Sequence, residues 1–239
     1  MHFCEVAITS VIACSNAKKV YFIYVLHTGI TYENQDKLTG LSTNNVTVQC
    51  IDVAAEVSNL DCNHKMSAHF TAEIVSRLLI SEIFPQYDKI IYLDCDLVVL
   101  KDISELYEID IEDNVIGAAT IIPTEFMINY LDKLNVGFPN KDYFATGALI
   151  INTKRFAQME VKEKCFKLLD GKQNYLYPDQ DSLNIICHGN VKFLDMRWNI
   201  GLSAWSTQAK TLSEYGEAMI DTASDPWILH YTSYKKPWV

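Results

Sequence analysis

The chain has 239 residues, which is long enough for one sizeable domain with a full hydrophobic core, and a second domain is not required. Its balance of apolar and charged residues is that of a globular protein and excludes a disordered chain. The net charge of -10 argues against nucleic acid as a partner, because binding to phosphates needs a basic face.

Segments with a helical spacing of apolar residues alternate with short β-branched and aromatic runs along the chain. In chain order they predict a helix at Val6–Ala13, a strand at Lys19–Leu26, a helix at Asn34–Leu41, a strand at Val46–Val53, a helix at Ser67–Phe84, a strand that begins at Lys89, strands at Val115–Ala119 and Ala148–Asn152, helices at Arg155–Leu169 and Asp181–Cys187, and a strand at Val191–Leu194. The stretch from Asn199 to Asp225 is less regular. The repeated β-α-β units predict a single α/β domain over residues 1–239, with a mostly parallel, Rossmann-like sheet and helices on both faces.

The strand that begins at Lys89 ends directly in two aspartates, Asp94 and Asp96. Its apolar run has no polar alternation, which is typical of a strand covered on both faces. Side chains alternate in extended backbone, so the two aspartates point the same way while Cys95 points opposite. The paired carboxylates repel each other, and a divalent cation such as Mg²⁺ or Mn²⁺ relieves that repulsion beyond the carboxyl end of the strand, where ligands bind in such sheets. The alternative is a solvated turn with two capping acids.

A histidine and a lysine near the other end of the chain are candidates for the same site. His230 opens the stretch H-Y-T-S-Y-K-K-P-W after an apolar run, and its imidazole would shift the metal preference toward Mn²⁺. Lys236 could meet an anion bound to that metal. The alternatives are a partly buried structural histidine and a solvated lysine tail.

Two further charged residues have more than one interpretation. Asp179 lies near the N-terminus of a predicted helix, where an acid is most often a helix cap. Arg77 is one of only three arginines and lies on the helix that leads into the aspartate-bearing strand. Its guanidinium could clamp a phosphate or pair with an acid, and a surface ion pair is the alternative.

The cysteines and the hydropathy indicate the cellular setting. The seven cysteines are scattered and odd in number, and reduced thiols in a cytoplasmic protein are the simplest account. Cys62 and His64 lie close together, but no second pair stands nearby to complete a zinc site. The sequence contains no apolar run of the roughly 18 residues that a membrane span needs.

Together these motifs resemble the family-8 retaining glycosyltransferases, which include glycogenin and bacterial lipooligosaccharide galactosyltransferases and share the GT-A fold. The resemblance covers nearly the whole chain and is carried by V-A-I-T-S-V, the helix with Arg77, Y-L-D-C-D-L-V-V, G-A-L-I-I-N-T, P-D-Q-D-S-L-N and H-Y-T-S-Y-K-K-P-W, in that order. It implies a GT-A fold and a retaining transfer of a hexose from a nucleotide sugar, UDP-glucose or UDP-galactose, to a glycan or lipid-linked acceptor, as in lipopolysaccharide biosynthesis.

The resemblance also implies roles for individual residues. Asp94, Asp96 and His230 would hold Mn²⁺ (or Mg²⁺) against the diphosphate of the donor. Gln180 and Asp179 would be the catalytic residues, with Gln180 beneath the anomeric carbon and Asp179 on the hydroxyls of the transferred sugar. The implied donor-binding set is Arg77, Asp94, Cys95, Asp96, Asp179, Gln180, His230, Ser233 and Lys236, in which Arg77 would reach the sugar or diphosphate and Lys236 would steady the leaving diphosphate.

The chain departs from the family pattern at several points. Met1 aligns just after the first strand and its base-binding loop, so we expect that strand to be missing and the domain to be truncated at the N-terminus, with truncation at the C-terminus as a second expectation. Ala145 stands where the family has an asparagine that contacts the donor sugar, and Ile121 stands where a sugar-binding aspartate often lies. Ser233 replaces a frequent glycine near the phosphate.

Three functions are therefore compared. The first is a metal-dependent hexosyltransferase that works in the cytoplasm or peripherally at the inner face of the membrane, with the oligomeric state left open. The second is a non-catalytic GT-A-like binding protein that retains the metal site, which the changes at Ala145 and Ile121 favour. A nucleotidyltransferase is the third and weakest, because it would need a glycine-rich basic loop near the N-terminus and the sequence has none there.

Overall fold

The computed structural model describes residues 2–63, 76–121, 125–171, 174–201 and 224–232. Its helices are α1 (His2–Cys14), α2 (Tyr32–Thr39), α3 (Ala54–Asn63), α4 (Ile80–Ile83), α5 (Ile103–Glu108), α6 (Glu125–Leu134), α7 (Thr153–Gln158), α8 (Val161–Leu169) and α9 (Pro178–Cys187), with short 3-10 helices at Asn140–Asp142 and Met196–Asn199. Its strands are β1 (Tyr21–His27), β2 (Val46–Asp52), β3 (Lys89–Leu93), β4 (Leu97–Val99), β5 (Ile116–Thr120), β6 (Phe144–Asn152), β7 (Val191–Leu194), β8 (Ile200–Gly201) and β9 (Ile228–His230).

The predicted alternation of helices and strands is confirmed, with most bounds within a few residues. The prediction of one helix over Arg155–Leu169 is wrong, because the chain turns between α7 and α8 at Glu160, whose φ of 53° is left-handed. The sequence has no glycine or proline at this turn, so it does not predict the break between the two helices. Of the helix predicted at Ser67–Phe84, residues 76–78 and α4 are helical, and its first part lies outside the described residues.

The described strands form three hydrogen-bonded groups, with the orders β1-β2, β3-β6-β5-β7 and β4-β9-β8. The pairs β1–β2, β5–β7 and β8–β9 are parallel. The long central strand β6 is antiparallel to both of its neighbours, β3 and β5, and β4 is antiparallel to β9. Among the described strands, three pairs are therefore parallel and three are antiparallel. The apolar sequences of these strands indicate that both faces are buried. Antiparallel strands are buried in the same way here, so an apolar sequence does not reveal the direction of pairing.

Strand β3 is covered on both faces, as predicted, but each of its residues is only half-buried. Ile90 and Tyr92 pack on one hydrophobic cluster, and Ile91 and Leu93 pack on the other. Within the described residues β3 pairs with β6 and β1 pairs with β2, and no hydrogen-bonded ladder joins β1 to β3 there. The expectation of a missing first strand stays a prediction.

Two hydrophobic clusters sandwich the sheet. One contains residues of α4, α7, α8 and α9, and the other contains residues of α1, α2 and α5. A smaller cluster joins α6 to Tyr143. Among the described helices, none is both long and apolar enough to cross a membrane.

Candidate active site

The backbone brings the aspartate pair and His230 together from distant parts of the chain. Asp94 and Asp96 lie in the short link between β3 and β4, where the chain passes from one hydrogen-bonded group of strands to the next. The antiparallel register of β4 and β9 sets Leu97 opposite His230, and Tyr231 donates its backbone N–H to the carbonyl of Asp96 at 2.9 Å. His230 is therefore fixed beside the aspartate pair by strand pairing.

The three side chains converge on one point. His230 Nε2 lies 3.0 Å from Asp96 Oδ1 and 3.6 Å from Asp94 Oδ2, and the ligand atoms of the three residues all lie within 4.8 Å of one another. The histidine is buried, while the Asp94 and Asp96 side chains keep 21% and 23% of their surface exposed. An ion could thus reach the carboxylates from solvent and meet the imidazole from inside the protein.

Asn199 determines which nitrogen of His230 faces the carboxylates. Its Oδ1 lies 3.0 Å from His230 Nδ1, and both side chains are buried. With Asn199 Oδ1 as the acceptor, Nδ1 carries a proton and Nε2 faces the two carboxylates. Either a proton on Nε2 or a cation between the three groups would satisfy this arrangement. An outer hydrogen-bond partner such as Asn199 is usual for histidines that bind metals.

Gly147 on β6 leaves the space that His230 occupies. A Cβ at this position would overlap the imidazole, lying inside contact distance of Cε1 and Nδ1 and 3.0 Å from Nε2. The carbonyl of Gly147 also accepts the backbone N–H of Asp94 at 2.8 Å. Gly147 therefore makes room for the His230 ring and also holds the backbone of Asp94.

Arg77 is buried and joins two of the predicted site acids. Its Nη2 donates to Asp94 Oδ1 at 2.7 Å, and its Nη1 lies 2.6 Å from Asp179 Oδ2 and donates to Thr146 Oγ1 at 2.8 Å. Tyr92 lies below the guanidinium, 4.8 Å from ring centroid to Cζ, and its hydroxyl donates to the same Asp94 Oδ1 at 2.6 Å. Asp94 is held through Oδ1, so Oδ2 remains directed at His230.

These contacts fix the charge states around Arg77. Burial acts to lower the pKa of Arg77, but Asp94, Tyr92 and Asp179 outweigh it and raise that pKa above its usual value, so the guanidinium stays charged. Burial also raises the pKa of Tyr92 well above its usual value, and its hydroxyl keeps the proton that it donates. Of the alternatives for Arg77, pairing with acids is confirmed, and a surface ion pair is excluded by its burial.

Helix α9 is pinned to β6 so that its first turn lies beside Arg77. Asn184 accepts the Phe144 N–H at 2.8 Å and donates to the Phe144 carbonyl at 2.9 Å. This places Gln180 close to Thr146, whose backbone N–H donates to Gln180 Oε1 at 3.3 Å. Asp179 makes no helix cap, because its carboxylate pairs with Arg77 and the capping position is Tyr177.

The structure therefore brings together Arg77, Asp94, Asp96, Asp179, Gln180 and His230. Cys95 lies between the two aspartates in the chain but is not among the three ligand residues. Ser233 and Lys236 lie outside the described residues. Ala145 is half-buried on β6, and Ile121 packs against the small cluster around Met127, Leu131 and Tyr143. The position where the family carries a sugar-binding acid is thus apolar packing in this chain.

Several residues of the site were not predicted from the sequence: Tyr92, Tyr143, Thr146, Gly147, Asp181 and Asn199. Tyr92, Gly147 and Asp181 belong to the quoted motifs and Thr146 directly precedes Gly147, so their positions were available without their roles. Asn199 sits in an irregular stretch and has no sequence signal, because its role depends on the pairing of β8 with β9.

The α/β fold is that of the GT-A glycosyltransferases, because the chain is similar to solved structures of that class. The family described as Glycosyl transferase family 8 matches residues 1–239, so the chain belongs to that family.

Known relatives agree with this membership. A putative glycosyltransferase of Haemophilus influenzae is 28% identical over 202 residues, or 82% of this chain and 59% of that protein. A lipopolysaccharide 1,2-glucosyltransferase of Escherichia coli is 31% identical over 170 residues, or 69% of this chain and 49% of that protein. The galactosyltransferase LgtC, solved in complex with donor and acceptor sugar analogs, matches with a TM-score of 0.74 and 25% identity, over 99% of this chain and 85% of LgtC. The chain thus spans less than two thirds of the two curated relatives.

Proposed function

We propose that this chain is the catalytic domain of a metal-dependent retaining hexosyltransferase. The donor would be a UDP-hexose, and the acceptor would be a saccharide or a lipid-linked glycan of the kind made in lipopolysaccharide biosynthesis. The observation that carries the proposal is the convergence of Asp94, Asp96 and His230 beside a second cluster formed by Arg77, Asp179 and Gln180. One cluster suits a diphosphate-bound cation and the other suits a sugar.

The donor set of the first cluster fits a divalent ion. Two carboxylates and an imidazole lone pair form a mixed oxygen and nitrogen site, which favours Mn²⁺ over Mg²⁺. Among the described residues, buried Arg77 Nε and Asn199 Nδ2 also have no hydrogen-bond partner, which supports a site that its own side chains do not complete. When bound, the ion would supply Lewis-acid stabilisation of the charge on the departing diphosphate.

The second cluster would hold the sugar through its own polar atoms. Asp179 Oδ2 is engaged by Arg77, which leaves the other carboxylate oxygen for sugar hydroxyls. The bond from the anomeric carbon to the diphosphate would break with its electron pair going to the phosphate oxygen. The acceptor hydroxyl would bond to the same face, and its proton would pass to the departing phosphate. An amide is a poor nucleophile, so Gln180 would stabilise positive charge at the anomeric carbon.

The direct test is release of UDP from UDP-glucose and UDP-galactose in the presence of Mn²⁺. We expect turnover that is lost on chelation and falls by at least about 100-fold in D96N, because the ion loses a charged ligand. The matched control is D88N, since Asp88 is an exposed aspartate just before β3 that pairs only with a surface lysine in the described structure. Metal-dependent UDP binding without turnover would favour the non-catalytic binding protein instead, which the apolar packing of Ile121 supports.

A further inference from the structure

A buried carboxylate stands behind Gln180 and is shared by two tyrosines. Asp181 has no exposed surface; its Oδ1 accepts the hydroxyl of Tyr143 and its Oδ2 accepts the hydroxyl of Tyr130, each at 2.5 Å. The backbone N–H of Tyr177 also donates to Oδ2 at 3.0 Å. Nothing in the proposed reaction uses this carboxylate directly.

One of the two tyrosines also contacts Gln180. The Gln180 side-chain Nε2 donates to the Tyr143 hydroxyl oxygen at 3.3 Å, while Gln180 Oε1 accepts from the Thr146 N–H. The Tyr143 hydroxyl has a single proton, and that proton is given to Asp181. Its oxygen is therefore left as an acceptor, and only the NH₂ end of the Gln180 amide can satisfy it.

We propose that Asp181 and Tyr143 are positioning residues that fix the orientation of the Gln180 amide. Gln180 Nε2 donates to the Tyr143 hydroxyl, and the Tyr143 hydroxyl donates to Asp181. Because the Asp181 carboxylate can only accept, it determines which group donates in both hydrogen bonds. A rotated amide would set its NH₂ group against the Thr146 N–H, donor against donor. This inference rests on the proposed function, in which the orientation of Gln180 determines which atom meets the anomeric carbon.

Tyr130 provides a matched control. It donates to the same carboxylate at the same distance as Tyr143, yet its hydroxyl oxygen accepts the Leu176 N–H and not the Gln180 amide. Y130F and Y143F each remove one donor from Asp181, and only Y143F cuts the connection to Gln180. A purely structural role for the cluster predicts similar effects of the two changes.

The experiment combines kinetics with a spectrum of the protein alone. In UDP-hexose turnover with Mn²⁺, we expect Y143F to lower kcat roughly tenfold with the donor KM within about twofold, and Y130F to change kcat by less than about twofold. In a Q180A background, Y143F should lower kcat no further, because the two residues act as one unit. In ¹H–¹⁵N spectra of the metal-free protein, the Gln180 side-chain amide signals, assigned by their loss in Q180A, should shift in Y143F and not in Y130F.

Equal kinetic effects of Y130F and Y143F, or an additive effect of Y143F in Q180A, would overturn the positioning role. If the wild-type chain shows no turnover at all, the proposed function fails and the spectra decide alone. In that case, Gln180 signals that shift in Y143F but not in Y130F support the positioning role. Signals that shift in neither variant or in both overturn it.

Discussion

Substituting alanine for Gly147 tests the proposal that His230 is a metal ligand. The added methyl group would overlap the His230 ring at Cε1 and Nδ1. Carbon atoms in contact stay about 3.5–4.0 Å apart, so the ring has to move by at least about 1 Å. Metal–ligand distances tolerate only about 0.2 Å, and G147A should therefore remove the imidazole from the ligand set.

The expected loss of Mn²⁺ affinity in G147A is about 100-fold, or about 2.7 kcal/mol, at the upper end of what a disturbed ligand shell costs. Titration of Mn²⁺ in the presence of UDP, followed by the loss of the free-ion electron paramagnetic resonance signal, measures it. Crowding in the core should also cost about 1–3 kcal/mol of unfolding free energy.

The matched control separates these two effects. A methyl group on Gly117 of the neighbouring strand would also be crowded, at 2.9 Å from Ile111 Cγ2, but it touches no residue of the site. G117A should lose stability and keep its Mn²⁺ affinity within about threefold of wild type. A G147A protein that binds Mn²⁺ as tightly as wild type would refute the placement of His230 in the ligand set.

Three further predictions follow from the contacts of the site. N199L should weaken Mn²⁺ binding by about tenfold while N199D retains it, because a carboxylate also accepts the Nδ1–H of His230; equal affinities in calorimetry would contradict this. R77K should lower the unfolding free energy by about 3 kcal/mol, because one ammonium cannot reach both acids, whereas R155K, at a half-buried arginine whose Nε donates to a backbone carbonyl, should lower it by no more than about 1 kcal/mol in urea denaturation. Burial raises the pKa of Asp181 above its usual 3.8, so its contribution to stability is present at low pH and is lost as the pH rises through the folded pKa. The unfolding free energy of D181N should accordingly improve relative to wild type as the pH rises above about 4, and a difference that does not change with pH would argue against it.

The order of elements and the aspartate pair could be predicted from the sequence because both depend on local patterns. A β-branched run such as β1 and the apolar strand before Asp94 are visible without any knowledge of their neighbours. The direction of pairing could not be predicted. β6 is apolar whether its neighbours are parallel or antiparallel, and only the register shows that it is antiparallel to both.

The sequence predicted candidate site residues where the charged side chain itself suggests the chemistry. It did not predict roles that depend on which residues lie next to one another in the fold. Arg77 could be singled out by its rarity, but its pairing with both Asp94 and Asp179 depends on how α9 docks on β6. Gly147 was quoted within a motif, and its function as the space for His230 becomes evident only when the fold places the His230 ring against it. Long-range packing of this kind leaves no periodic trace in the sequence.

The most direct test of the central claim is calorimetric titration of the chain with UDP, with and without Mn²⁺. If Asp94, Asp96 and His230 hold an ion that receives the diphosphate, UDP binds in the presence of Mn²⁺, binding weakens by at least about 100-fold without it, and D96N loses the metal dependence. UDP binding of equal strength with and without Mn²⁺, or no binding at millimolar UDP with the ion present, would contradict the account.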